Sequence, residues 1–494
     1  MNTFDRNKNG DPGVQTKASH DTDAPPNLIA FLLRDWKPRR LDAKPLGKKA
    51  DQFAARRKAL SQRFPGECLV IPAGEPKVRA NDTFYPFRPC SDFFYLTGVL
   101  DPGYALAMVP RGAEGHDSVL FVEASPGKTD PSFFTDRVKG ELWVGPRPSL
   151  DEAKRLYAIA DCRPLPELDR FAQAFLSTAK PWRLLRGHSP EVEKRFPELG
   201  PDLAARDSAL ATHLSEMRLL KDALEVRELS SAIGATHRGF DDVIARLRTA
   251  RTEREVEGVF YTRARMEGND VGYGTIAAAG HHACTLHWNR NDGALRRGDL
   301  LLLDAGVEGR SLYTADITRT LPLSGRFSRE QREVYELVWE AQAAGIRAVR
   351  PGNDFLEPNR AAMRVLAEGL ARLGILKVPA EEALAETNQF HRRYTLHNVS
   401  HMLGLDVHDC AQARRETYKF GKFQAGMVLT VEPGLYFQPD DLTVPARYRG
   451  IGVRIEDNVV VTAKGCRNLS GAIPSRADEV EAWMRRIWKK GARR

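Results

Sequence analysis

The sequence predicts an α+β protein of two domains, in which an N-terminal α/β domain precedes an α+β domain. The chain has 494 residues, and because a single core seldom grows beyond about 250–300 residues, two domains are expected. Before residue 205, short apolar strands alternate with helices, which is the pattern of an α/β domain. After residue 207, long helical stretches come first and apolar strands follow, which favours an α+β arrangement.

The first half of the chain carries the elements of an α/β domain, which we place at residues 48–206. Residues 1–47 are polar and lack an apolar period, so they are predicted to be a disordered extension. A helix over Lys49–Phe64 opens the domain and ends before a Pro-Gly pair. The other predicted elements are the strands Cys68–Pro72, Phe93–Thr97, Tyr104–Val109 and Ser118–Glu123, and a helix over Ser149–Ile159.

The second domain is predicted to span residues 207–475, and residues 476–494 are predicted to form a basic C-terminal tail. A long charged helix over Asp207–Ala235, with no Gly or Pro before Gly234, is expected to lead into it. The other predicted elements are the helices Ala235–Leu247, Thr252–Glu267, Arg329–Val349 and Phe355–Leu373, and the strands Leu300–Asp304, Ala315–Leu321, Val428–Val431 and Val453–Val461.

Composition excludes several classes of protein. No apolar run approaches the roughly 18 residues that span a bilayer, so we expect no membrane association. The six cysteines are scattered without a C-x-x-C pair, which indicates free thiols in a reducing compartment and therefore a cytoplasmic protein. The net charge is +9, but six basic residues lie in the last ten positions rather than over one surface, so no nucleic-acid partner is expected.

One pattern occurs twice in the second domain. In residues 298–306, a glycine is followed by an apolar strand, Asp304 and a second glycine, and in residues 426–434 the same order surrounds Glu432. Each copy precedes another carboxylate on a β-like segment, Asp316 after the first and Glu456 after the second. Two related halves that each supply two carboxylates could build one shared site.

Four carboxylates in apolar or β-rich surroundings require positive charge, because a buried carboxylate is costly without a partner. Arg319 and Arg454 are too few to neutralise four of them, so divalent metal is the simplest answer. A set of oxygen ligands with one imidazole and no thiolate favours Mn²⁺, or Co²⁺ or Fe²⁺, over structural zinc. Several carboxylates able to bridge imply two metal ions, which together can hold a water and polarise a carbonyl.

Histidines cluster within the twelve positions from His397 to His408. This is more than an ordinary core segment carries, and Gly404 would let the backbone approach a site. We therefore assign His401 as the fifth metal ligand and place His397 and His408 near the substrate. His287 is a weaker candidate from the pattern alone.

These motifs resemble the "pita-bread" metallopeptidases and, within that family, aminopeptidase P (Xaa-Pro aminopeptidase). The resemblance covers roughly residues 48–470 and rests on segments of both domains. They are 303–306, 315–320, 397–409, 430–434 and 452–458 in the second domain, and 84–98 and 141–147 in the first. It implies a C-terminal pita-bread catalytic domain, an N-terminal creatinase-like domain, and release of an N-terminal residue that precedes proline.

The resemblance also implies a role for each candidate residue. Asp304 is expected to bind one metal, Asp316 and Glu456 to bridge both, and His401 and Glu432 to complete the second. Glu432 is also expected to act as the general base for the water that bridges the two metals, and the bridging hydroxide that results would attack the peptide bond. His287, His397 and His408 are expected to handle the substrate, and Arg454 is expected to support the ligands without binding metal.

Three alternatives remain open at this stage. An Xaa-Pro dipeptidase (prolidase) would share the ligands and fold, and peptide length would distinguish it. A non-catalytic binding protein of this fold, or creatinase-like hydrolysis without metals, is disfavoured because all five ligands are present. The expected partners are peptides with proline at the second position, and we expect a homo-oligomer, either a dimer or a tetramer.

Overall fold

The computed structural model describes residues 23–491, apart from 39–40, 42–43, 48, 113–114, 179 and 198–199. The chain divides into two compact units, Met1–Asp207 and Ser208–Arg494. Helices and sheets are mixed in both units, so the predicted α+β fold class is confirmed. None of the helices in the described part of the chain combines the length and the apolar character that crossing a membrane requires.

A five-stranded mixed sheet organises the first unit. Its order is β6-β5-β4-β1-β7, with β1 antiparallel to β4 and parallel to β7, and β5 antiparallel to β4 and parallel to β6. The strands are β1 (Cys68–Pro72), β2 (Val78–Ala80), β3 (Thr83–Phe84), β4 (Ala105–Pro110), β5 (His116–Val122), β6 (Asp161–Pro164) and β7 (Trp182–Leu184). The helices are α1 (Pro26–Leu32), α2 (Lys49–Arg63), α3 (Ser91–Thr97), α4 (Ser132–Thr135), α5 (Glu141–Val144), α6 (Leu150–Tyr157), α7 (Glu167–Leu176) and α8 (Pro190–Glu193), followed by α9 (Pro201–Met217), which contains the boundary between the units.

The strand predicted over Phe93–Thr97 is wrong, because this segment is the buried helix α3. Its apolar residues are buried on every side, and a short apolar run that is buried all round has no period to separate helix from strand. The helix ends at Gly98, which adopts a left-handed φ of 69° and donates its N–H to the carbonyl of Phe94. Gly98 is therefore the signal that marks a helix C-terminus here.

The prediction of disorder over residues 1–47 is wrong for part of that range, and residues 1–22 lie outside the described residues. Residues 26–32 form α1. Beyond this helix, the Trp36 ring lies 6.0 Å from the Phe134 ring, and the Lys128 ammonium lies 3.9 Å from the Trp36 ring centroid. A polar composition does not show that single apolar residues such as Trp36 have partners elsewhere in the chain.

The second unit contains several small antiparallel sheets and the longest helices of the chain. Its helices are α10 (Ala223–Arg246), α11 (Glu253–Glu267), α12 (Arg329–Ala348), α13 (Glu357–Arg372), α14 (Ala380–Leu384) and α15 (Ala477–Gly491), with short 3-10 helices at Gly280–Cys284, Phe390–Arg393 and Ala446–Tyr448. Its strands are β8 (Asp270–Val271), β9 (Ile276–Ala279), β10 (Leu300–Ala305), β11 (Val307–Glu308), β12 (Ile317–Pro322), β13 (Val428–Val431), β14 (Gly434–Tyr436), β15 (Gly452–Arg454), β16 (Asp457–Val461) and β17 (Cys466–Asn468).

The uninterrupted helix predicted over Asp207–Ala235 is wrong, because the chain leaves the helical conformation between α9 and α10. Asp222 caps α10, accepting hydrogen bonds from the backbone N–H groups of Leu224 and Glu225, while the Glu225 side chain accepts from the Asp222 N–H. This capping box begins a new helix. The break also frees Lys221 to turn into the core, where its side chain is 1% exposed.

The C-terminal residues do not form a separate tail in the part of them that is described. Helix α15 has the apolar residues Val480, Trp483 and Met484 fully buried in the core of the second unit. The Trp483 indole N–H donates to Asp241 of α10 at 2.6 Å. Basic residues occupy the last turn of α15, where their positive charge interacts favourably with the negative end of the helix dipole.

Candidate metal centre

Two antiparallel strand pairs of the same design carry the four candidate carboxylates, and in each pair at least one further strand lies between the two partners in the sequence. In the first, β10 pairs antiparallel with β12, Asp304 lies near the end of β10, and Asp316 directly precedes β12. In the second, β13 pairs antiparallel with β16, Glu432 directly follows β13, and Glu456 directly precedes β16. The repeated pattern in the sequence therefore corresponds to a repeated local structure, and each copy presents two carboxylates.

Hydrogen bonds of its backbone join His401 to the second strand pair. Its N–H donates to the Thr430 hydroxyl at 3.1 Å, and its carbonyl accepts from the Thr430 N–H at 3.0 Å. Its ring Nε2 lies 3.2 Å from Asp316 Oδ2 and 3.5 Å from Glu432 Oε1. The imidazole thus lies between Asp316 of the first strand pair and Glu432 of the second.

The structure brings the five ligands predicted from the sequence together. Asp316, His401 and Glu456 each offer a ligand atom within 4.8 Å of the others. Asp304, the fourth predicted ligand, is connected to this group through Tyr273. The Tyr273 hydroxyl lies 2.6 Å from Asp304 Oδ1 and 2.5 Å from Asp316 Oδ1. Glu432 is the fifth, through its contact with His401.

The pKa values of three of these carboxylates are raised, as expected where burial is not matched by enough positive charge. Burial raises the pKa of Asp304, and it raises that of Glu456 well above its usual range, with the neighbouring carboxylates adding to the effect at Glu456. Burial likewise raises the pKa of Glu432 to about 7, although His401 opposes the shift. Burial acts to lower the pKa of His401, but its hydrogen bond to Asp316 and the charge of Glu432 outweigh this and raise it to about 9.

The donor set fits divalent cations. Glu456 Oε1 is buried and has no hydrogen-bond partner among the described residues, while its other oxygen accepts from the Thr318 hydroxyl at 2.7 Å. A buried carboxylate oxygen without a partner is expensive unless a cation binds it. Oxygen ligands with one imidazole suit Mn²⁺ and similar ions rather than a thiolate-bound structural zinc.

Arg454 connects the candidate ligand Asp304 to Tyr436. Its guanidinium donates to Asp304 Oδ2 at 2.6 Å and to the Tyr436 hydroxyl at 2.9 Å, and the residue is 3% exposed. Arg319, which the sequence analysis considered beside it, has a different partner. Its guanidinium donates to Asp457 Oδ1 at 2.8 Å and to the carbonyl of Glu456. It therefore fixes the backbone of the second strand pair rather than neutralising the side chain of a candidate ligand.

The three further histidines lie around the ligands. His397 Nε2 lies 2.8 Å from the Tyr436 hydroxyl, and burial together with the charge of Arg454 lowers the pKa of His397 to about 4. The His408 ring is 4.4 Å from the His401 ring in an edge-on arrangement, and burial lowers its pKa. His287 is exposed and follows Leu286, whose carbonyl accepts from Arg454 at 3.4 Å. Its charge lowers the pKa of both His397 and His408.

Sequence reasoning missed two tyrosines that contact the candidate residues. Tyr273 lies three positions before Ile276, which pairs with Asp304 in the neighbouring strand β9. Tyr436 lies on β14, whose partner strand β15 carries Arg454 opposite Gly434. Their hydroxyl contacts follow from strand pairing, and the only signal in the sequence was the proximity of Tyr436 to the Glu432 motif.

A buried ion pair supports the loop that carries His401 and His408. Lys221 Nζ lies 2.8 Å from Asp409 Oδ2, and both side chains are 1% exposed. Gly404 leaves room for this pair, because a Cβ there would lie 2.1 Å from Asp409 Oδ2. Burial acts to raise the pKa of Asp409, but the charges of Lys221 and Arg218 outweigh it and hold that pKa below its usual value.

Comparison with known proteins gives two matching families. The model of metallopeptidase family M24 matches residues 227–463, and that of the aminopeptidase P N-terminal domain matches residues 53–184. Xaa-Pro aminopeptidase 1 of Streptomyces coelicolor is 52% identical over 445 residues, covering 90% of this chain and 88% of the relative. The Xaa-Pro aminopeptidase of Escherichia coli is 33% identical over 448 residues, covering 88% and 97% respectively.

Solved structures agree with the sequence relatives. Aminopeptidase P from Escherichia coli with the inhibitor Pro-Leu superimposes with a TM-score of 0.77 at 31% sequence identity. The match covers 90% of this chain and 100% of that structure. The likeness therefore includes both units of the chain.

The ion pair behind the histidine loop yields a prediction for stability. Lys221→Met should destabilise the second unit by about 3–5 kcal/mol, because it leaves a buried carboxylate without its lysine. Because the pKa of Asp409 is depressed, the contribution of its charge is present at neutral pH and is lost as pH falls through the folded-state pKa. Denaturant unfolding of metal-free protein at pH 7 measures the change.

Two further variants complete this test. Lys194→Met removes an exposed pair with Glu191 and should cost at most about 1 kcal/mol. The double variant Lys221→Met/Asp409→Leu should recover part of the loss, because it removes the buried carboxylate that Lys221→Met leaves without its lysine. Equal, small effects of Lys221→Met and Lys194→Met would contradict the assigned importance of the buried pair.

Proposed function

The chain belongs to metallopeptidase family M24 and to its Xaa-Pro aminopeptidases, and from this premise we propose how its residues perform the reaction. The enzyme is a metallo-aminopeptidase, a hydrolase that releases the N-terminal residue from peptides with proline in second position. The family resemblance in the sequence is thereby confirmed, as is the preference for this activity over that of a prolidase. The observation that carries the proposal is the convergence of Asp304, Asp316, His401, Glu432 and Glu456 at one point.

We assign the five converging residues as the ligands of two divalent metal ions. Asp304, Asp316, Glu432 and Glu456 would supply carboxylate oxygens to the ions, and His401 would supply the imidazole nitrogen. When bound, such ions supply Lewis-acid polarisation of the scissile carbonyl and activate water at neutral pH. The unpartnered Glu456 Oε1 and the raised pKa values of the carboxylates support this assignment.

We assign Glu432 as the general base. Its two carboxylate oxygens face different imidazoles, Oε1 at 3.5 Å from His401 Nε2 and Oε2 at 3.6 Å from His397 Nδ1. It therefore lies between the ligand cluster and the histidines that surround the substrate. From there it can take the proton of the attacking water and return it to the leaving proline nitrogen.

The hydrogen bonds of His397 assign it a role in shaping the site. Arg454 donates to the Tyr436 hydroxyl, so the hydroxyl proton is free to bond His397 Nε2, while Nδ1 lies 2.9 Å from the Asn398 carbonyl. Both ring nitrogens thus have partners within the chain. A neutral ring held in this way presents its carbon edge, which suits contact with the apolar ring of proline.

His408 and His287 are assigned to the carbonyl side of the reaction. The His408 ring packs edge-on against the ligand His401, and its lowered pKa keeps the imidazole neutral at pH 7. A neutral imidazole still donates one N–H, which can stabilise the oxyanion that forms as water attacks. His287, an exposed side chain whose charge also acts on His408, is proposed to bind the substrate on the same side.

The bond before proline explains why shape is needed. Its nitrogen is part of a tertiary amide and carries no N–H, so a peptidase that binds this group in ordinary substrates has nothing to bind. The basic residues that could serve a dipeptidase have other contacts. Arg449 Nε donates to the carbonyl of Val444, and the Arg447 guanidinium lies 4.6 Å from the Tyr448 ring centroid. These contacts support a preference for longer peptides.

We further propose that the metal is Mn²⁺, that the enzyme works in the cytoplasm, and that it forms a dimer or a tetramer. The oxygen-rich ligand set supports Mn²⁺. All six cysteines are free, and four of them are buried, which suits a reducing compartment. The oligomer is proposed from the family resemblance alone.

Removing metal is expected to abolish turnover. Dialysis against a chelator should eliminate hydrolysis of Ala-Pro-Ala, and Mn²⁺ should restore it, because the four carboxylates otherwise lack the charge that organises them. Metal analysis of the active enzyme should give two ions per chain. Full activity in protein shown to be metal-free would refute the assignment.

Glu432→Gln is expected to lower kcat by at least about 100-fold, the scale of a lost general base. Metal content must be measured in the same preparation, because Glu432 is also a proposed ligand. Glu381→Gln changes an exposed carboxylate of α14 and serves as the matched control. A Glu432→Gln variant that keeps nearly wild-type kcat would place the base elsewhere.

Peptide length separates this activity from that of a dipeptidase. The enzyme should have a higher kcat/KM for Ala-Pro-Ala and for longer Ala-Pro peptides than for Ala-Pro, all measured with the same metal. A preference for the dipeptide by more than about tenfold, roughly 1.4 kcal/mol of transition-state discrimination, would contradict it.

A further inference from the structure

A buried carboxylate outside the metal cluster organises the loop that carries His287. Glu253, the first residue of α11, is 0% exposed. Its Oε1 accepts from the Ala279 N–H at 2.7 Å and lies 2.8 Å from His282 Nδ1. Its Oε2 accepts from the Trp288 indole N–H at 2.9 Å and from the Gly293 N–H at 2.7 Å. All four partners lie on residues 279–293, which form the connection after β9.

The packing around this carboxylate leaves the loop little freedom. The Trp288 ring stacks on the His282 ring with centroids 3.9 Å apart. At Gly293, an added Cβ would lie 2.6 Å from the His282 ring and 2.8 Å from the Glu253 carboxyl carbon, so only glycine fits. The Gly293 carbonyl also accepts from the Glu253 N–H at 3.0 Å, which closes the contact between loop and helix.

The same loop is fixed to β9 at its far end. Asn291 is fully buried with a left-handed φ of 48°. Its side chain accepts from the Ala277 N–H at 2.9 Å and donates to the Thr275 carbonyl at 2.8 Å. Backbone strain of this kind persists where the surroundings hold it in place. The loop is therefore held at Glu253 and at Asn291.

His287 lies between two anchored neighbours. The Leu286 carbonyl accepts from Arg454 at 3.4 Å, and Arg454 in turn contacts the candidate ligand Asp304. On the other side, Trp288 is bonded to Glu253. One neighbour of His287 is thus tied to the metal centre and the other to the buried carboxylate.

We propose that Glu253 is a positioning residue of the reaction, which holds His287 in the orientation that binds the substrate. It does not touch the substrate, and the inference rests on the role proposed above for His287. A glutamine at this position keeps the volume of Glu253 but turns an NH₂ group toward N–H donors that need an acceptor. An unmatched buried donor costs enough to displace the loop.

A double-mutant cycle between Glu253 and His287 tests the inference on the metal-loaded enzyme with Ala-Pro-Ala. Glu253→Gln should lower kcat/KM by at least about tenfold. The share of this loss that appears in kcat, and the share that appears in KM, should match those of His287→Ala. In the His287→Ala background, Glu253→Gln should lower it further by less than about twofold, because residues that act through one another are not additive. Glu257→Gln on the same helix is the matched control.

Each other outcome overturns a stated part. If Glu253→Gln is harmless, or lowers kcat/KM equally in both backgrounds, Glu253 is not a positioning residue for His287. A fall in kcat alone, with KM unchanged and a smaller folded fraction, would show general destabilisation. If His287→Ala keeps wild-type activity with two metals bound, the role proposed for His287 fails, independently of the result at Glu253.

A milder substitution covers the case in which Glu253→Gln does not fold. Trp288→Phe removes one of the four donors but keeps an aromatic ring on His282. It should lower kcat/KM by about threefold in the wild-type background and leave it unchanged in His287→Ala. Equal effects of Trp288→Phe in the two backgrounds would overturn the proposal.

Discussion

The rest of the catalytic unit depends on the repulsion between four carboxylates that converge within one buried site. Two unit charges about 4 Å apart interact strongly once water is excluded, and like charges raise one another's pKa. Burial is the main cause of the raised pKa values of Asp304, Glu432 and Glu456, and the charge of Asp316 adds to it at all three. The surrounding fold must therefore be stable enough to hold the carboxylates together, and the cations that relieve the repulsion then bind a site that is already formed.

Two copies of one antiparallel strand pair build this site. In each copy one carboxylate lies near or just after the end of one strand, and another directly precedes the partner strand. Strand pairing fixes all four backbone positions, because a change of register by one residue would turn every side chain to the opposite face. His401 is held differently: its N–H donates to the Thr430 hydroxyl and its carbonyl accepts from the Thr430 N–H, which attaches its loop to the second strand pair.

Much of this could be predicted from the sequence because it depends on local pattern. The strand over Val428–Val431 and the helices α12 and α13 follow from periodicity, and the candidate ligands follow from carboxylates placed beside apolar strands. The rest depends on contacts between residues far apart in the chain. Tyr273 reaches Asp304 and Asp316 across 31 and 43 residues, and Lys221 reaches Asp409 across 188. No local pattern reports such contacts, and the break in the helix that Lys221 requires was missed for the same reason.

The buried carboxylates of this unit show how the metal centre differs from the structure around it. Asp409 is compensated by Lys221, and Asp457 by Arg319. Glu253 has four hydrogen-bond partners, two of them backbone N–H groups, which spread its charge over dipoles. Asp409 Oδ1 also lacks a hydrogen-bond partner, but Arg218 Nε lies 3.4 Å from it, whereas among the described residues Glu456 Oε1 has neither a hydrogen bond nor a basic side chain in ion-pair contact. Burial alone therefore does not mark the site, since compensated carboxylates are buried equally well. The mark is a buried carboxylate whose compensation the chain itself does not supply, because that is where a bound cation can lower the free energy most.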